Sequence, residues 1–426
     1  MAGEIGSSLQ QVRFKPEATR GTLETTGYKI IDAWTYKDGP KMDTTGSRPA
    51  GRKYEAKGAR TLNREWSEFS IDSPEMCYNS IIYIMASVYD SLSPAAHGSS
   101  STAKDWAVTP QVADYANSKT YSIERGDSNR AHNYAYGLFK KFSYKHDTKG
   151  ASCTVDGFAQ RLADGTSLTS SPTRIPCLPM SATHFNLYLD TASGSIGSTQ
   201  LTKFISHEHT FDGVFGPAFF QNRSNPSFAS HVDMAPKTTG KIMLEADSNG
   251  MAWLPYIRAT TPLYFRVEAQ GQVIDNLQIV TLGTQSSGNF KLTYKGQQTA
   301  NIAYNAAASA VQSALLLLST IPAGTVTVSG SNGGPYSIIF SGSLSQDTTA
   351  LTADFSALTT PGNASLNSTA QSYDKFVHDM CIEVSAPQDF TDSEGVFATG
   401  YEYTVVEDAT WGKAQVLTAT NLLTAL

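Results

Sequence analysis

The sequence predicts a mainly β protein made of repeated modules, and three features of its 426 residues lead there. Charged residues make up 16% of the chain, against roughly 25% in an average soluble domain, while glycines number 33 and aromatics reach 10%. That balance favours strands and broad protein contacts over helical bundles. Short alternating apolar segments recur between turns rich in Gly, Pro, Asn and Ser. At roughly 100 to 200 residues per domain, the length allows several domains, each able to bury its own core.

The elements follow in order. Residues 28–36 alternate as a strand, a polar excursion runs to about Thr61, and residues 62–71 return. Ser73 reads as a cap and Pro74 as the first position of a helix over residues 76–89. Residues 137–144 and 151–158 read as a hairpin. The same succession is legible a second time: strand 201–211, an excursion to about Thr239, a return over 241–246, a helix over 251–258 after Asp247 and Ser248, and a hairpin of 376–384 with 395–405. One pattern written twice accounts for this, the alternative being chance similarity between two ordinary β segments.

Residues 284–372 interrupt the second copy and hold only Lys291, Lys295, Asp347 and Asp354 as charges. A strand over 290–294 is followed by a helix after Asn305. Its apolar face carries Ala310, Val311, Ala314, Leu315, Leu317 and Leu318, and Pro322 and Gly324 end it. Strands over 325–328 and 336–340 complete a small α+β domain. The first copy has only the loop 126–136 at this place, and surface loops accept insertions at little closure cost. The division is therefore 1–170 for the first module, 171–283 with 373–426 for the second, and 284–372 for the insertion.

Composition and motifs exclude several classes. Lys plus Arg is 32 and Asp plus Glu is 38, so the net charge of −6 opposes a protein that grips nucleic acid through its phosphates. No apolar run approaches the roughly 18 residues of a membrane-spanning helix, and the opening, with Glu4 and no apolar centre, does not read as a signal peptide. Folding in a cytosol is expected. Cys77, Cys153, Cys177 and Cys381 are far apart and form no C-x-x-C pair, so they read as free, buried thiols. Phosphate-loop, nucleophile-elbow and zinc-protease motifs are missing from the sequence. His207-Glu208-His209 would place both imidazoles on one strand face, with His184 and His231 nearby in sequence. Two ligands leave zinc incomplete, so surface or inter-subunit hydrogen bonding is the expected role, and no cofactor is expected. The acids Asp379, Glu383, Asp389, Asp392, Glu394, Glu402, Glu407 and Asp408 read as a solvated acidic face; a carboxylate pair for glycoside hydrolysis is the competing view.

Charge is unevenly spread. Residues 1–170 hold 21 cations and 19 anions, a net of +2, and residues 171–426 hold 11 and 19, a net of −8. The first excursion concentrates Lys41, Arg48, Arg52, Lys53, Lys57 and Arg60 against Asp43 and Glu55. A nucleic-acid loop, a solvated loop, or an arm that docks on an acidic surface of a second copy all fit; the acidic C-terminal part favours docking.

Three stretches resemble the major tail tube proteins of long-tailed, siphovirus-like bacteriophages. One is Lys15-Pro-Glu-Ala-Thr-Arg-Gly-Thr22 with Tyr28-Lys-Ile-Ile-Asp-Ala-Trp34, the Gly- and Arg-rich excursion and the return into a Ser-Pro-Glu-led helix. Another is the closing hairpin with Asp379-Met-Cys-Ile-Glu-Val384 and the last strand near Lys413-Ala-Gln-Val-Leu417. The third is the insertion, whose Gly288-Asn-Phe-Lys-Leu-Thr-Tyr-Lys-Gly296, Ile302-Ala-Tyr-Asn-Ala306, Ala310-Val-Gln-Ser-Ala-Leu315 and Gly324-Thr-Val-Thr-Val328 resemble a β module of phage structural proteins.

The resemblance implies two tandem tail-tube β-sandwich or barrel modules, each with a flanking helix, and an outward-facing decoration domain. It implies a structural virion protein without enzymatic activity. A homotrimeric, pseudo-hexameric ring would stack into a tube for double-stranded DNA, with the basic excursion docking between rings. Tail-tip, tape-measure and tail-terminator proteins would be its partners, with no membrane insertion. Asp156, Glu383 and Glu402 are the expected acids of the lumen or an interface. The second excursion departs from the pattern in lacking the basic cluster. A carbohydrate-binding adhesin, acting through residues 284–372, is the alternative function.

Overall fold

The computed structural model describes residues 10–426 except 59, 98–102, 114–115, 128–129, 222–224, 249, 260, 346–348, 388–389 and 394. Glu4, Asp347, Asp389 and Glu394 therefore lie outside the described residues. The chain is mainly β, with few helices.

In the first half, six strands matter most: β1 (Gln11–Pro16), β2 (Thr35–Thr45), β3 (Thr61–Ser73), β4 (Tyr121–Gly126), β5 (Ala131–Asp147) and β6 (Gly150–Ala159). They hydrogen-bond in the order β2-β3-β6-β5-β4-β1. In the second half, β7 (Phe185–Asp190), β8 (Phe204–Asp212), β9 (Lys237–Glu245), β10 (Leu263–Thr281), β11 (Ser365–Pro387) and β12 (Val396–Val405) pair as β8-β9-β12-β11-β10-β7. Strand for strand the two orders are the same, and all these pairings are antiparallel.

The halves are also fused. β8 lies against β5 from His207↔His146 to Asp212↔Lys141, which makes one sheet running β2-β3-β6-β5-β8-β9-β12-β11. Period-two alternation sends Phe69, Ile71, Val155, Phe142, Ile242, Leu244 and Tyr401 to one buried face. Glu68, Ser70, Thr239 and Lys241 stand half-buried and Glu402 exposed on the other. Helix α1 (Ile81–Val88), buried at every residue, packs on the β5 side of the core, and α2 (Leu254–Ala259) lies against β11.

Several local expectations change. Strand 28–36 is broken: Lys29–Ile31 pairs with β1, the chain turns through Ala33 at φ 65°, and β2 begins at Thr35. Strand β2 runs on to Thr45, so the first excursion shortens to residues 46–60. Ser73 ends β3 and donates its hydroxyl to the Glu75 carbonyl instead of capping a helix, and α1 starts only after Ser80. The intervening residues make long-range backbone bonds instead: Met76 N–H donates to Ala151, Tyr78 N–H to Leu178, and Met180 N–H to Met76. That pairing brings Cys77 and Cys177 to a Cα separation of 5.3 Å, and they form a disulfide. The expectation of four free thiols is thereby corrected. Cys153 and Cys381 are free and buried, and burial pushes their thiols up to about 12 and about 11.

Strands β10 and β11 continue past the main sheet into the insertion, where β10 also pairs with Tyr336–Ser341. A separate core forms there around Phe290, Leu292, Val311, Leu315, Tyr336 and Ile338. Helix α3 (Ala308–Leu316) buries Val311 and Leu315; Leu317, expected on its apolar face, lies past its end and is 82% exposed.

Candidate assembly interface

The eight-stranded sheet has two ends. The outer edge of β2 pairs with nothing among the described residues, and its exposed positions include Lys37 and Lys41. At the other end, residues 383–387 of β11, continued by Thr391–Ser393, pair on one side only, with β12. Phe390 and Phe397 stack there at 4.8 Å and are 51% and 59% exposed. Backbone donors and acceptors along such edges are open to another strand.

The β5–β8 junction shows how two such edges fit. Matching cross-strand pairs, Ile71↔Val155 with Ile242↔Tyr401 and Phe69↔Gly157 with Gly240↔Tyr403, fix the correspondence of the halves. On that count Glu208 of β8 corresponds to Lys37 of β2, and Lys145 of β5 to Thr391. Inside the chain, acids on β8 face lysines on β5: Glu208 stands opposite Lys145, and Asp212 approaches Lys141 at 3.9 Å. On the free edges the corresponding positions are Lys37 on β2, 2.9 Å from Asp72, and the uncharged Thr391 on the opposite end.

Behind the junction lies a core of polar aromatics. His207 and His209 are both buried and Glu208 is exposed, so the imidazoles do share a face, but within the protein and not at its surface. The Tyr403 hydroxyl lies 2.7 Å from His207 and 3.2 Å from His209, and Tyr144 lies 2.9 Å from His378. His146 stacks on Phe185 at 4.0 Å. Burial, reinforced by neighbouring imidazoles, holds His207 and His209 well below the usual histidine range. Burial takes His146 to about 3 and His378 to about 4. His184 and His231 are elsewhere, bonded to Tyr78 and Tyr136. Among the described residues no group of His, Cys, Asp or Glu is arranged to hold a metal ion.

The six basic residues of the first excursion divide. Lys41 stands on β2, 3.6 Å from Glu68, and Arg60 is 3.0 Å from Glu55. Arg48, Arg52, Lys53 and Lys57 are exposed and make no ion pair among the described residues. Of the expected acids, Asp156 and Glu402 occupy corresponding positions on the polar face. Asp156 is opposite Lys141 and Glu402 opposite Lys241, so this face is mixed in charge. Glu383 is exposed opposite Thr404. Asp379 is held by Arg266 through contacts of 2.6 and 2.9 Å. Sequence reading missed the junction itself, since strand pairing between halves leaves no residue signature.

No family model matches the chain. It is 36% identical over 97 residues to the tail sheath protein of Mycobacterium phage Bxz1, a stretch that is 23% of this chain and 16% of that protein. The chain therefore covers only a small part of that relative's length. A solved structure from Mycobacterium phage Patience overlaps 55% of this chain and 82% of its own, at 14% identity and a TM-score of 0.20, too loose an overlap to support a shared fold.

Proposed function

We propose that the chain is a structural protein of a phage tail. Its copies close edge to edge into a ring, and the rings stack into a tube that double-stranded DNA passes through. The observation that carries this reading is the eight-stranded sheet with two open edges and, at its centre, a junction between two corresponding strands already made. Long exposed edges invite uncontrolled pairing unless they are closed. Joining unlike edges by a constant rotation closes a ring, and ring-on-ring contacts, also unlike, extend into a filament.

Three copies would supply about 24 strands, a barrel wider than those of 16–18 strands that already enclose water channels. The sequence relation to a tail sheath protein supports a place in the virion tail. The sheet and the resemblance of the sequence support a tube rather than a sheath in this reading. Assembly in the host cytoplasm, and tail-tip, tape-measure and terminator partners, belong to the same reading. The mixed face is compatible with DNA in transit, because it offers no continuous cationic groove to hold phosphates.

Negative-stain electron microscopy of the purified protein, with mass measurement on the same sample, tests the proposal. Rings or hollow tubes built from three-chain units are expected. Solid fibres, or single chains at every concentration, would contradict it.

A further inference from the structure

The second excursion, between β8 and β9, is not a free loop. It folds back over the polar face and end of the first half. Phe219 packs on Trp66 at 5.5 Å, and Phe228 on Phe158 at 5.3 Å and Tyr136 at 5.2 Å. Backbone bonds fasten it: Glu65 N–H donates to Pro226, and Arg161 N–H to the Ser227 hydroxyl. The Gln160 side-chain amide donates to Phe228. Phe228 is wholly buried as a result. The arm thus covers the very half to which its own strand β8 is joined.

The first excursion, residues 46–60, is the corresponding arm, and every described residue of it is exposed. Resting on the ring reading above, we infer that in the assembly it lies over the second half of the neighbouring copy in the same ring. That neighbour is the one whose β11 edge meets this copy's β2. The positions that Trp66, Phe158, Gln160 and Arg161 occupy in the first half are taken in the second by Lys237, Thr404, Val406 and Glu407. The equivalence is marked by a matching bond: Gln160 N–H donates to Ala135, and Val406 N–H to Cys381.

That surface carries Glu383, Glu402 and Glu407, all exposed, beside two cations, Lys237 and the Lys241 that stands opposite Glu402. The arm presents Arg48, Arg52, Lys53 and Lys57. Where the arm inside the chain docks through aromatics, the arm between chains docks through charge. This places the basic excursion within a ring and not between stacked rings, which reverses the role expected from the sequence.

The test uses the full chain carrying Arg48→Glu, Arg52→Glu and Lys53→Glu, followed by mass measurement and microscopy. Thermal melting equal to the wild type confirms that the variant is folded. At least a tenfold higher protein concentration should be needed for half-assembly into rings, and adding Glu383→Lys, Glu402→Lys and Glu407→Lys to the same chain should restore it. Wild-type rings from the triple variant, with only stacking lost, would overturn the inference and leave the ring intact. A wild type that never forms rings would overturn both.

Discussion

In the first half of the molecule the ring of Phe69 lies over Gly157 across the β3–β6 pair; in the second, Tyr403 of β12 lies over Gly240 of β9, so the aromatic and the glycine have changed strands. One strand over from that pair, on β2 and on its counterpart β8, the exchange is electrostatic. Asp38 on β2, opposite Phe69, bonds Arg125, His132 at 2.9 Å and Tyr134 at 3.3 Å. Burial works against its charge, but the His132 bond and the Arg125 guanidinium outweigh it and keep its carboxyl below the usual range. At the matching place on β8 stands His209, neutral among imidazoles and tyrosines. The shared requirement therefore belongs to the cross-strand pair and its packing, not to the residue at a given position.

The glycine and aromatic exchange gives the largest expected effect. A Cβ on Gly157 would fall 2.3 Å from the Phe69 ring, and one on Gly240 2.2 Å from Tyr403. Gly157→Val and Gly240→Val should each cost on the order of 3 kcal/mol in thermal unfolding, the upper range for overpacking. Combining Phe69→Gly with Gly157→Tyr gives the first half the second half's arrangement, and should recover at least half of the loss. No recovery would mean that the two pairs are not equivalent.

The buried histidines should make the second half and its junction lose stability already below about pH 6.5, whereas the Asp38 site loses its contribution only below the ordinary carboxylate range. Their folded pKa values lie below the unfolded value of about 6.5, so the unfolded chain binds more protons between the two. Stability is full above that unfolded value and falls as pH drops. The expected slope is about 1.4 kcal/mol per pH unit for each imidazole, until the folded value, about 4 for His378 and about 3 for His146, is reached. Melting curves between pH 7 and 4 check this. His146→Phe, whose Nε2 has no hydrogen-bond partner to lose, should flatten the slope by one imidazole; an unchanged slope would sink the assignment. The smallest effect is expected at Asp212, 49% exposed beside Lys141: Asp212→Asn should shift stability by less than about 1 kcal/mol and leave assembly unchanged.

Much of this was legible in advance. Alternation placed β3, β6, β9 and β12 to within a few residues, because one buried face imposes a period of two. The helix Ala308–Leu316 was legible in the apolar spacing after Asn305. The first helix was placed too early because Ser73 and Pro74 mimic a cap, while the stretch after them is claimed by residues 178–180, a partner about 100 positions away. The same long-range contact hid the disulfide. At the candidate interface, the basic cluster was visible, but not that four of its cations make no ion pair among the described residues while Lys41 and Arg60 are taken by Glu68 and Glu55. Edge status is a property of pairing, and no single strand announces it.

The central claim is that the free edge of β2 in one copy meets the β11 edge of the next as β8 meets β5 within the chain. It is tested most directly by a protein carrying Lys37→Cys and Thr391→Cys, treated with a short bis-maleimide after assembly. The account predicts chain-to-chain products ending at a covalent trimer, absent from either single variant. Assembled protein that yields only uncrosslinked chains, or cross-links equally well with one cysteine, would contradict it.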